Sequence, residues 1–386
     1  MKLSNKQFID NVLGSVLIFL NVVIARIFGF ILRLDHSLKK SPDCIIITKM
    51  LGLGSLLMAA DAILAIKKRY PDARLVLVCS SLIEKETKAL GLFDEVWAID
   101  DRSFWVLVKS AFATLVKTWK FKRLWTVNLE VYSRLSTIFS LWTLARNRFG
   151  FYFNEVKFRY ALNTHHVYFN PMHLAYDNYE QMALEMDAPV RDIYRFPVAG
   201  GSQSLQYIAI NNNCSELAKE RIIPDDILIT SMLEIAAVTT LGFVLIGSKA
   251  DHDYNEQLMR HPRLQEIRKR MINIAGKYPF LEFLNFLKKE CAMLLTIDSG
   301  PLHFAYRLDM PVVSVWGPTH PETRVPPAFK HEILYLAVHC SPCVHHTDIL
   351  PCGGDNFCMK NINAALLGHA IKHTLQIHYE RKFDVS

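Results

Sequence analysis

The sequence has no second long apolar run to follow the one from Val12 to Leu32, which excludes a polytopic membrane protein. No small-residue cleavage site follows that run, so it reads poorly as a removed secretion signal. No Gly-Lys-Ser/Thr stands at phosphate-loop spacing, and Gly52-x-Gly54 lacks its third glycine, with Leu57 in that place. The strand that follows ends at Cys79-Ser80-Ser81 with no acid to hold a ribose. A phosphate-loop NTPase and an NAD dehydrogenase are both excluded on these grounds. Acids are scarce from Arg102 to Arg159, where eleven Lys and Arg stand against Glu130 and Glu155 alone. Eight cysteines in 386 residues do not make a disulfide framework.

What is present suits a folded chain of two domains, with 51% apolar and 21% charged residues. The net charge of +7 is uneven: +4 over the first forty residues, +9 across 102–159 and −6 over the rest. Such a gathering points to an anionic surface, either phospholipid or a phosphorylated substrate, and not to nucleic acid. Residues 12–34 as a helix would be about 34 Å long against about 30 Å of bilayer hydrocarbon. Flanking Lys2, Lys6, Lys39 and Lys40 suit an anionic membrane face, whether the helix spans or lies flat. The bland alternative is a helix packed on the protein itself.

After Ser41-Pro42-Asp43 the chain reads strand, glycine loop, helix, strand, which implies a parallel sheet covered by helices. Strands are expected at 44–48, 74–79, 95–99 and 123–127, and in a second series at 207–211, 242–246, 293–297 and 311–316. Between the third and fourth, 104–119 places Trp105, Val108, Phe112, Leu115 and Trp119 on one helical face, expected to cover the sheet. Its basic flank, Lys109, Lys117 and Lys120, could additionally meet lipid. The expected organisation is a membrane-associated helix over 1–41, a Rossmann-like domain over 42–196, a hinge over 197–206 and a second Rossmann-like domain over 207–386. Two such α/β domains would face each other across a central cleft.

The richest chemistry is Thr296-Ile297-Asp298-Ser299-Gly300-Pro301-Leu302-His303. A strand ends at Ile297 and a helix begins near Pro301, so first-turn N–H groups and the Ser299 hydroxyl offer a diphosphate site. Asp298 would repel phosphate and suits sugar or ribose hydroxyls. A capped helix with no ligand would use the same residues.

The combination resembles glycosyltransferase family 9, the family of the bacterial heptosyltransferases of lipopolysaccharide core assembly. Ile45-Ile46-Ile47-Thr48-Lys49 through Arg69-Tyr70-Pro71-Asp72-Ala73 is similar to its opening strand, loop and helix. Asp298-Ser299-Gly300-Pro301-Leu302-His303 with Trp316-Gly317-Pro318-Thr319 is similar to its donor-site signature. Asn211 to Pro224, with Ser215, Glu216, Glu220 and Arg221, resembles the loop that opens its second domain.

The resemblance implies a GT-B fold and inverting transfer with no required metal. The acceptor, a glycolipid or phosphorylated saccharide, would sit on the first domain and the nucleotide-sugar donor on the second. ADP-heptose is the family's best-known donor, and the cytoplasmic face of the bacterial inner membrane is the implied location. Ser215, Arg221, Asp298, Ser299, Gly300, Pro301 and His303 would bind the donor, with Arg221 on the diphosphate.

The pattern departs from the family at Gly54-Ser55, where better-known members have Gly-Asp and that Asp is the proposed base. Serine cannot take a proton usefully near pH 7. Glu130 is the expected replacement, Asp61 the second candidate, and Arg134 would hold an acceptor phosphate beside Gly54 and Ser55. The dull reading pairs Glu130 with Arg134 four apart on a helix. The missing acid also leaves open a non-catalytic scaffold that binds a sugar nucleotide at a membrane. Finally, Cys340-x-x-Cys343 with Cys352 and Cys358 offers four thiols within nineteen residues. They read either as a structural zinc site or as plain reduced cysteines near the donor loop.

Overall fold

The computed structural model describes residues 3–198, 203–214, 219–344, 346–347 and 349–379. The chain divides into two units, Met1–Tyr194 and Arg195–Ser386. Part of the expected hinge, residues 199–202, lies outside the described residues.

The first unit holds β1 (Cys44–Thr48), β2 (Arg74–Ser80), β3 (Glu95–Ile99), β4 (Leu124–Asn128), β5 (Asn147–Tyr152) and β6 (His165–Tyr168). Its helices are α1 (Leu3–Leu32), α2 (Leu53–Met58), α3 (Ala60–Arg69), α4 (Glu84–Ala89), α5 (Phe104–Thr118), α6 (Arg134–Trp142) and α7 (Ala175–Glu185). All neighbouring strands are parallel, in the order β3-β2-β1-β4-β5-β6. Cys-Ile-Ile-Ile-Thr of β1 is buried throughout, as expected of a central strand covered on both faces.

The second unit repeats the topology. Its strands are β7 (Tyr207–Asn211), β8 (Gly242–Leu245), β9 (Met271–Asn273), β10 (Cys291–Ile297), β11 (Val312–Trp316) and β12 (His331–Tyr335). Its helices are α8 (Asp225–Val238), α9 (His252–Met259), α10 (Phe280–Glu290), α11 (Gly300–Leu308), α12 (Phe357–Lys360) and α13 (Ala364–Tyr379). The sheet order is β12-β11-β10-β7-β8-β9, again parallel. Each unit is thus a Rossmann-like α/β layer.

Two elements differ from simple expectation. α5 does cover the sheet and buries Leu115 of the expected stripe, but the rest of its inner face is a different one. Leu107, Ala111, Thr114 and Leu115 turn inward, while Trp105 is 77% exposed, Phe112 59% and Trp119 48%. Ala111 and Thr114 in the inward stripe let the helix approach the strands closely; the aromatic stripe would hold it off. α1 is both packed and exposed. Gly14 allows the approach to α6, since a Cβ there would lie 2.6 Å from Arg134 Cβ. Ile18 packs with Ile138 and Leu162. Asp10 accepts from Ser133 Oγ (2.7 Å) and from the N–H groups of Arg134 (2.8 Å) and Leu135 (2.9 Å), capping α6. Asn21 accepts from Trp142 Nε1 at 2.9 Å. Leu17, Val22 and Ala25 pack partly buried beside them, while the opposite face, with Val12, Val16, Phe19 and Val23, is exposed.

Candidate functional site

In an open parallel sheet, ligands collect outside the carboxyl ends of strands where the order reverses. In the first unit that point lies where β1 and β4 pair. Lys49 follows β1, and Glu130 follows β4 by two residues. Their side chains meet at 3.3 Å and are mostly buried. Glu130 Oε1 also accepts the N–H groups of Met50 (2.6 Å) and Leu51 (3.4 Å), so the carboxylate pins the first loop. Burial is the largest single influence on Lys49 and opposes its charge, but Glu130 and Tyr179 together hold the ammonium pKa above its ordinary value. Arg159, fully buried, donates to Ser133 O at 2.9 Å and lies within electrostatic reach of Glu130 and Asp10.

The other acceptor-side candidates have partners of their own. Gly52 adopts φ +86°, a left-handed conformation that favours glycine, and opens α2, which carries Gly54 and Ser55. The Ser55 hydroxyl donates to Gly52 O at 2.8 Å, inside its own turn. Asp61 is buried in α3 and accepts the Tyr194 N–H at 2.6 Å, which fastens the end of the unit. Arg134 opens α6; its guanidinium donates to Asn11 Oδ1 at 2.8 Å and lies over Phe158. The helical pairing of Glu130 with Arg134 does not form, because Glu130 stands in the loop before α6 and turns to Lys49.

In the second unit the reversal lies where β7 and β10 pair. Asn211 ends β7 and donates to Ser299 Oγ (2.8 Å) and Thr296 Oγ1 (3.2 Å). Ser299 precedes α11 and makes no side-chain cap bond to it, with Pro301 in the first turn. A Cβ on Gly300 would meet only Phe304, at 3.7 Å, so packing alone does not demand glycine there. Arg221 donates to Asp298 O at 2.8 Å and approaches Asp298 Oδ2 at 3.5 Å. Asp298 therefore seats the cation, and its charge is countered within the site. His303 is buried in α11, and burial first of all pushes its pKa down to about 4, so it is neutral near pH 7. Ser215 lies outside the described residues.

The Arg221 loop has its own supports. Asn212 accepts the Ile223 N–H at 2.8 Å, and Asn356 donates to Glu220 O (3.3 Å) and Ile222 O (3.1 Å). Asn356 belongs to the cysteine segment, which also meets the loop after β11. Cys343 N donates to Pro318 O at 3.0 Å, and a Cβ on Gly317 would strike Cys358 Sγ at 2.6 Å. Burial, then Cys340 and Cys352, raises the Cys343 thiol pKa; burial raises that of Cys358, with Cys343 and Cys340 adding to it. The four thiols have the right chemistry for a metal. Among the described residues, however, no group of three or more His, Cys, Asp or Glu is placed to hold one. Lys49, Arg159, Asn211 and Asn356 were not singled out from the sequence; for Lys49 and Asn211 the signal was position, at or just beyond the end of a central strand.

Residues 232–353, which include the Asp298 segment, match glycosyltransferase family 9 (heptosyltransferase). The chain is glycosyltransferase family 9-like. A stretch of 105 residues is 32% identical to lipooligosaccharide heptosyltransferase 2 of Haemophilus influenzae, covering 27% of this chain and 30% of that protein. The match thus spans under a third of the relative's length. In fold, the family 9-like chain is similar to ADP-heptose lipopolysaccharide heptosyltransferase II of E. coli, with TM-score 0.65, 17% identity, and coverage of 86% of this chain and 99% of that one. It is also similar to TibC of E. coli, a dodecameric iron-containing heptosyltransferase, with TM-score 0.54, 13% identity and coverage of 89% and 80%. The fold is GT-B.

Proposed function

We propose that this chain is an inverting glycosyltransferase that moves a sugar from a nucleotide-diphosphate donor to a cell-envelope glycolipid. Heptose carried on ADP and a lipopolysaccharide-core acceptor are the choices by analogy with the heptosyltransferases named above. The observation that carries the reading is the second-unit switch point, where Arg221 sits on Asp298 beside the start of α11. Arg221 would take diphosphate charge as the leaving group departs, together with first-turn N–H dipoles. Asp298 and Ser299 would orient the donor, Gly300 and Pro301 would let it approach the helix start, and neutral His303 would offer a hydrogen bond from within α11. Ser215 would join them.

Glu130 would take the proton from the acceptor hydroxyl as it attacks the anomeric carbon. Held by two backbone N–H groups, it needs little reorganisation to do so. Asp61, spent on Tyr194, is the weaker base candidate. Arg134 would help hold acceptor phosphate near Gly54 and Ser55. The site of action would be the cytoplasmic face of the bacterial inner membrane. For the four cysteines we propose a structural role, with zinc as the metal by ligand type, or iron as in TibC; elemental analysis of the purified protein decides between metal and free thiols.

The Ser55 bond to Gly52 favours a second reading, because the first loop then offers no base and the chain could bind donor without turnover. Transfer, or hydrolysis of the bound sugar nucleotide by the pure protein, separates the two. Absence of both with donor bound would leave the scaffold reading.

A further inference from the structure

We propose that α1 lies flat on an anionic bilayer, with the aromatic face of α5 beside it, and that the two form one lipid-docking surface. The α1 segment Asn5–Leu32 has mean hydropathy 2.4 in its most apolar window, of which only 11% is buried. An apolar surface of that extent is rare on a soluble monomer and calls for a partner.

The packing argues against spanning. α1 is fastened to α6 at Asp10, Gly14, Ile18 and Asn21, with Val22 and Ala25 packed alongside. Beyond Ala25 only Arg26 to Leu32 extend, about 10 Å of helix against about 30 Å of hydrocarbon. A spanning pose would carry the capped, polar start of α6 into lipid or break its contacts with α1. Lying flat keeps them all and turns the opposite face, with Val12, Val16, Phe19 and Val23, to the acyl boundary.

α5 runs beside the docked part of α1. Lys6 meets Asp101, just before α5, at 2.5 Å. At the far end Trp119 Nε1 donates to Trp142 O (3.0 Å), and Trp142 in turn donates to Asn21 (2.9 Å). Lys6 to Asn21 spans about 22 Å of helix, the length of α5 itself. Trp105, Phe112, Val116 and Trp119 form the exposed stripe of α5, and Lys109, Lys117 and Lys120 flank it. Tryptophan with lysine is the composition of a membrane interface, and the positive charge selects anionic headgroups. The proposal extends the glycolipid reading, since Asp10 sits at the start of α6 and Lys6 at the end of β3, on the strand edge that carries Glu130. An acceptor drawn from the bilayer would enter there.

The test is sedimentation of the full chain with vesicles of phosphatidylcholine alone or with one quarter phosphatidylglycerol. Binding to the charged vesicles is expected, at least tenfold weaker in the doubly substituted Trp105→Glu, Phe112→Glu chain, whose exposed sites leave the fold intact. Brominated lipid should quench fluorescence, and Trp105→Phe should remove a share of that quenching. Equal binding of variant and parent, or no quenching from Trp105, overturns the proposal. So does a concentration-dependent dimer that the double substitution dissolves, without vesicle binding. Titrating nucleotide into the same samples keeps failure here distinct from failure of the transferase reading.

Discussion

Glu130 and Lys49 sit where two central strands part, and each is held by the other. Glu130→Gln keeps an oxygen for the Met50 N–H but removes the proposed base. Turnover should fall by about 10²–10⁴, with donor affinity unchanged in an isothermal titration. On the donor side, Asn356→Ala removes two hydrogen bonds to the Arg221 loop without touching the donor itself. Donor affinity should weaken about fivefold to tenfold, in proportion to about 1 kcal/mol for bonds of this kind, while the pH profile of turnover stays unchanged. At this scale the sequence was half legible. The run from Asp298 to His303 is local, and a strand end followed by Ser-Gly-Pro marks it in the sequence as a candidate. Glu130 stood out as an acid alone in a basic stretch. Lys49, 81 positions away from Glu130, gave no such signal, because only the parallel pairing of β1 with β4 brings them together. The Cys segment showed its thiols, while its grip on the Arg221 loop passes through Asn356, a residue of no distinctive spacing.

The helices separate what periodicity can say from what it cannot. In α5 both stripes are apolar enough to be the inner one, and the larger residues suggested the wrong side. Ala111 and Thr114 win the sheet because small side chains let the helix come close. The central strands β1 and β10 were legible as largely apolar runs, whereas β6, β9 and β12 are partly polar edge strands with no such pattern. For α1 the sequence left packing and membrane contact as rivals, and the helix has a face for each. Gly14→Val should prise α1 from α6, since its first added carbon already meets Arg134 at 2.6 Å. The expected readout is a melting temperature lowered by several degrees and faster proteolysis near the N-terminus, with nucleotide affinity retained.

Across the whole molecule, buried His303 and half-buried His331 contribute to an acid limit, with His165 acting in the same direction. Burial pushes His303 down to about 4 and His331 down to about 3. Both folded values lie below the unfolded value of about 6.5, so the unfolded chain binds more protons below that pH. The stability these neutral side chains allow is complete above about pH 6.5 and is lost as the pH falls from there toward 4. Urea midpoints measured from pH 7 to 5 should therefore decline, and less steeply in His331→Asn; parallel curves would show that His331 titrates normally.

The same topology serves both units, and each puts its candidate residues where its strand order reverses. The central claim is that the second unit's reversal point binds a nucleotide diphosphate through Arg221 seated on Asp298. Calorimetric titration of ADP, GDP, UDP and their sugar conjugates tests it most directly, with Arg221→Ala and Asp298→Ala in parallel. Saturable binding of one nucleotide is expected, weakened at least tenfold in both variants. Folded protein that binds none of them, or variants that bind as tightly as the parent, would contradict it.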